Sequence, residues 1–72
     1  MSETAALSRQ RVIRRLQTAG FRILRDGSDT VMGFGERSVT VPPEDPVSQA
    51  ALDSILRDAG IDMARFEDLG SH

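Results

Sequence analysis

Arg11, Arg14 and Arg15 recur at three- and four-residue spacing, which gathers side chains on one side of a helix. Guanidinium groups held that way can grip phosphate oxygens. Two more arginines, Arg22 and Arg25, stand in a stretch that alternates in hydropathy. On an extended strand a separation of three puts them on opposite faces, so at least one is expected on an open sheet face or its edge. Other reactive groups are scarce. The 72 residues include no Cys, and the one His is the last residue. That excludes a disulfide scaffold, a thiol nucleophile, a Cys-type zinc site and a His cluster for a transition metal. No metal and no cofactor is expected, and catalysis would have to use Asp, Glu, Ser, Thr or Arg. Glu44-Asp45 is flanked by Pro43 and Pro46, which argues for an exposed loop rather than an acid–base pair. Asp53 and Arg57 have the spacing of a helical ion pair. Gly33 and Gly35 are too close for a phosphate loop and no Lys follows them; a bulge or a tight hairpin is the expectation.

The elements that position these residues follow from caps and periodicity. Ser8 suits a helix N-cap, with Leu7 and Val12 as a hydrophobic staple. Val12, Ile13, Leu16 and Ala19 make an apolar stripe, and Gly20 is the left-handed stop, with Phe21 closing onto Leu16. Ser48 repeats this pattern: Val47 and Leu52 staple, Leu52, Ile55, Leu56 and Ala59 form the stripe, and Gly60 with Ile61 ends it. Helices are therefore expected over about 8–19 and 48–59. A short helical turn is expected from Asp62 to Gly70, with Ile61 stapled to Phe66. Between the helices the period changes to two. Strands are expected at 21–25, 30–34 and 38–41, joined by turns at 26–29 and 35–37, with Pro42-Pro43 ending the third. The fold class is α+β, in the order α-β-β-β-α. Short turns make a three-stranded antiparallel sheet, with two helices on one face and the other face open. Met32 and Phe34 share one side of the second strand, either in the core or as an outward apolar patch. The expected layout is a flexible N-terminal segment over 1–7, one domain over 8–69 and a tail over 70–72.

Charge is uneven along the chain. Residues 1–20 carry four arginines against Glu3, whereas residues 42–72 carry Arg57 and Arg65 against seven acidic residues. With a net charge of −2 overall, any basic footprint is confined to the first third, although free-standing nucleic-acid binders usually carry a basic excess. No run approaches the ~18 apolar residues of a membrane span, and no basic segment leads into an apolar one as in a secretory leader. A cytoplasmic domain with no membrane partner is expected.

The segment Ala19-Gly20-Phe21-Arg22-Ile23-Leu24-Arg25-Asp26-Gly27-Ser28 resembles the first helix end, first strand and turn of HicA-type toxins. Val39-Thr40-Val41-Pro42 resembles their third strand, and Leu52 through Ile61 is similar to their second helix. The pieces fall in order over roughly residues 10–69. The resemblance implies a fold like that of double-stranded-RNA-binding domains and a type II toxin–antitoxin setting. It also implies a metal-independent endoribonuclease acting on mRNA, neutralised by a HicB-like antitoxin partner. The family turn reads Gly-Ser-His and its His is catalytic; here Gly27 and Ser28 are kept and Asp29 holds the His position. RNA cleavage without metal needs a base for the 2′-hydroxyl and an acid for the leaving oxygen, which imidazole supplies near neutrality. Carboxylates titrate near about 4, so one in that place accepts a proton but does not donate one, and it repels the scissile phosphate. Binding without efficient cleavage is the expectation. The tail Gly70-Ser71-His72 repeats the triplet, but outside the strand framework.

Within that resemblance, Gly27, Ser28 and Asp29 form the candidate catalytic turn, and Arg11, Arg14, Arg15, Arg22 and Arg25 are the candidate RNA contacts. The α-helical arginines match how such folds present a helix to the minor groove and phosphates of RNA. The alternative is a non-catalytic protein–protein interaction module that keeps the fold and docks through its acidic C-terminal half.

Overall fold

Two serines set where the main helices begin. The Ser8 side chain accepts from the Arg11 amide and the Ser48 side chain from the Ala51 amide, each satisfying one of the unpaired N–H groups that open a helix. The computed structural model describes residues 7–70, so the other residues of the expected N-terminal segment and of the tail, Ser71 and His72 included, lie outside the described residues. The order is α1 Arg9–Thr18, β1 Arg22–Asp26, β2 Thr30–Phe34, β3 Arg37–Val41, α2 Gln49–Ala59 and α3 Met63–Leu69, the expected α-β-β-β-α pattern with a third helix. Asp62 caps α3 by accepting from the Arg65 amide at 2.8 Å. Both main helices end where glycine permits a left-handed turn. Gly60 has φ 75, and the Ile61 amide donates to Leu56 O at 3.0 Å; after α1 the Phe21 amide donates to Leu16 O at 2.9 Å.

The strands form one antiparallel sheet in the order β1-β2-β3. Gly35, with φ 63, is the first residue of a two-residue hairpin that closes Phe34 onto Arg37. Thr30, Met32, Val39 and Val41 turn to the helices and are buried against Val12 and Leu16 of α1 and the α2 stripe of Leu52, Ile55, Leu56 and Ala59. Phe66 brings α3 into the same core. Leu7 exchanges backbone hydrogen bonds with Val47, so the fold includes a residue that the sequence assigns to the N-terminal segment. The helices sit on β3 and on one another, α2 and α1 both packing on β3. β1 is left at the far edge with all five residues exposed.

The pairing of β1 with β2 is irregular at one residue. Ile23 pairs with Met32 and Arg25 with Val31, so Leu24 is an extra residue opposite no partner of its own. A bulge of this kind reverses the alternation beyond it.

Candidate nucleic-acid interface

Helix α1 has the sequence RQRVIRRLQT and contains no acidic residue. Because Val12 and Leu16 are buried, its other side faces solvent. There Arg11, Arg14, Arg15 and Thr18 line a shallow groove of about 360 Å³, closed by Leu69 and Gly70 at the end of α3. A smaller depression of about 200 Å³ beside it shares Arg11 and Arg14 and adds Ser8 and Gln10. No carboxylate lines either one. Arg11 and Arg14 are exposed, whereas Arg15 is half-buried. Its guanidinium carbon lies 4.9 Å from the Phe66 ring centroid, within cation–π range. Arg15 also lies against the backbone of Gly70, where any Cβ would collide with its guanidinium. Helix α3 therefore fixes the direction of Arg15, while its two neighbours are free to follow a ligand. Three donors of this geometry can hold successive phosphate oxygens of a nucleic-acid strand.

The Gly27-Ser28-Asp29 turn lies elsewhere. It is closed by the Gly27 amide donating to Asp29 O at 3.0 Å, and Asp29 is half-buried. The next residue, Thr30, is the one fully buried polar residue among those described. Its hydroxyl donates to Asp26 Oδ1 at 3.1 Å and accepts from Arg9 Nη2 at 2.6 Å. Arg9 Nε donates to Pro42 O at 2.8 Å, and its backbone amide donates to Asp45 Oδ1 at 3.0 Å. One side chain thus ties the start of α1 to the base of the β1–β2 turn and to the loop after β3. Sequence reasoning missed Arg9. The signal for it was its place on the row that leads to Ile13 and Leu16, which points inward rather than to solvent. Asp45 is a partner in this linkage, not half of a carboxylate pair.

Arg22 and Arg25 require a correction. Arg22 pairs with Gly33 and Arg25 with Val31, and both partners alternate with the helix-facing Thr30 and Met32. The bulge at Leu24 therefore puts both arginines on the open face, not on opposite faces. Gly33 serves this arrangement, because a Cβ there would come within 2.7 Å of Leu24 Cδ1. Met32 is buried as a core residue, whereas Phe34 is 53% exposed and packs on Phe21 with ring centroids 5.6 Å apart. Asp53 accepts from Gln49 Nε2 at 2.7 Å rather than serving Arg57. Arg37 lies over the end of α2, with its Nη1 within 2.6 Å of where a Cβ on Gly60 would be. The described residues hold no group of three or more His, Cys, Asp or Glu placed to bind a metal ion, and none of their helices is long and apolar enough to cross a membrane.

The candidate residues thus occupy three surfaces: the α1 groove, the β1–β2 turn and the open sheet face. Together they describe a small α+β domain with an open three-stranded sheet and a carboxylate-free basic groove. No protein-family model, no curated protein and no solved structure matches the chain.

Proposed function

We propose that the protein is an RNA-binding domain of HicA-like type in which the α1 groove holds the phosphate backbone. In this reading Asp29, in place of the family His, leaves cleavage weak or absent, and a HicB-like protein is the partner. One observation carries it. In a chain with more acidic than basic residues, the groove along the solvent side of α1, beside the end of α3, is lined by three arginines and no carboxylate. That distribution suits a ligand of repeated negative charge. The HicA resemblance supports RNA as the class, since folds of this order use the first helix on RNA.

A short RNA duplex titrated by fluorescence anisotropy tests the reading. Three neutralised phosphates give a slope of log affinity against log salt near about −2.7, so affinity falls roughly 40-fold for a fourfold rise in salt. Arg11→Ala/Arg14→Ala should remove about two from that slope. Binding that is unaffected by salt, or by this double variant, refutes it. In the same samples, single-stranded RNA without metal should remain uncut by the parent and by Asp29→Ala. Cleavage that Asp29→Ala abolishes would overturn the account of Asp29.

A further inference from the structure

We propose that the outer edge of β1 receives an extended acidic segment of a partner protein, which adds to the sheet as a fourth strand. This goes beyond the RNA reading and does not depend on it. β1 ends the sheet, and no described strand lies beyond it. All five of its residues are exposed because the helices pack toward β3. A bare edge offers a row of backbone donors and acceptors to an incoming strand.

The side chains say what kind of strand fits. The three exposed large hydrophobic residues, Ile23 at 41%, Leu24 at 61% and Phe34 at 53%, all lie on β1 or on β2 beside it. The register puts Ile23 and Phe34 on the helix side and Leu24 on the open side. An added strand would therefore find apolar contacts on both of its faces. Arg22 and Arg25 share the open face with Leu24 through the bulge. The other open-face residues of the sheet, Val31, Gly33, Ser38 and Thr40, carry no charge, so nothing in the sheet neutralises the pair. A second copy adding antiparallel would set arginine beside arginine, which is unfavourable across strands. A segment with carboxylates at alternate positions meets both arginines from one side and leaves its other face for Ile23. The charge pattern thus disfavours self-addition and selects an acidic partner.

The test uses a short peptide alternating Glu and Val, titrated into isotopically labelled full-length protein and followed by amide chemical shifts and exchange. Shifts should concentrate at residues 22–26, with amides of β1 exchanging more slowly, and the same peptide with Lys for Glu should leave the spectrum unchanged. In Arg22→Glu/Arg25→Glu the preference should reverse: the Glu peptide weakens about tenfold, two cross-strand charge pairs' worth, and the Lys peptide binds. Unchanged signals from Val12, Leu16 and Phe66 show that this variant keeps its fold. Ile23→Ala/Leu24→Ala, with the arginines intact, should weaken the Glu peptide a few-fold. Four results overturn the proposal: equal response to both peptides, shifts confined to Arg11, Arg14 and Arg15, no response at millimolar peptide, or movement of the β1 amides by single-stranded RNA instead. None of these bears on duplex binding by α1, which the salt titration measures separately.

Discussion

Thr30→Val tests whether the Arg9 linkage holds the turn side of the molecule to α1. The substitution keeps the side-chain shape in a fully buried position but removes the hydroxyl that joins Arg9 Nη2 to Asp26 Oδ1. Hydrogen bonds to charged groups contribute about 1.5–3 kcal/mol. A buried methyl in place of the hydroxyl returns up to about 1 kcal/mol. The expected net loss is about 1–2 kcal/mol, a large share of the roughly 3–5 kcal/mol that a core of this size supplies. In urea, with a slope near 1 kcal/mol/M, the midpoint should fall by about 1–2 M. Arg9→Met should also destabilise, since it gives up the bonds to Thr30 and Pro42. Combining the two removes both partners, so the double variant should lose less than the sum of the singles by at least about 1 kcal/mol. If Thr30→Val costs under about 0.5 kcal/mol, or if the two changes simply add, the linkage is not a tie and the reasoning fails.

Two glycines give contrasting expectations. Gly60→Ala puts a Cβ on a residue at φ 75 and against the Arg37 guanidinium, and should cost about 1–2 kcal/mol in chemical denaturation. Gly27→Ala, with only Asp29 O at 3.9 Å, should stay within about 0.5 kcal/mol, and equal losses at the two positions would remove the conformational argument. Gly70→Ala is not strained at φ −81 but displaces Arg15 from its seat. It should cost about 0.5–1 kcal/mol through loss of the contact with Phe66, while lowering duplex-RNA affinity and reducing the salt slope by about one. Unaltered binding would show that the fixed direction of Arg15 is irrelevant to the groove.

Most of the fold was legible because its signals are local. Ser8, Ser48 and Asp62 announce their helices through short-range hydrogen bonds, and Gly20, Gly35 and Gly60 mark places where the backbone takes positive φ. The apolar stripe of α2 is the buried face of α2. What escaped was set by contacts distant in sequence. Gly33 and Gly35 signalled a bulge or a tight hairpin, but the bulge itself falls on Leu24 of the facing strand, where the composition of β1 gives no signal for it. It alone moved Arg25 from one face to the other. Arg9 reads as one more surface cation until the sheet brings Thr30 and Pro42 within reach. Arg15 reads as equivalent to Arg14 until α3 folds back and offers Phe66.

Under the proposed reading, the dispersal of the candidate residues favours binding over chemistry. Cutting RNA without metal needs an acid, a base and a phosphate-holding cation converging on one linkage, with reacting groups within about 3.5 Å of each other. Here the arginines with the best claim on phosphate lie on α1, beside the end of α3. The Asp29 turn is anchored through Thr30 and Arg9 on the side of α1 that faces the sheet. Arg9, the cation nearest that turn in the hydrogen-bonded network, is committed to Thr30 and Pro42. Arg22 and Arg25, which precede the turn in sequence, lie on the open face of the sheet, away from the helices. No single RNA linkage is thereby surrounded, whereas a strand lying along α1 meets three guanidinium groups without a carboxylate between them. The same separation leaves the β1 edge free while α1 is occupied, so an RNA and an acidic protein segment could bind this domain together. Competition between a duplex and the Glu–Val peptide would contradict that arrangement, and additive binding would support it.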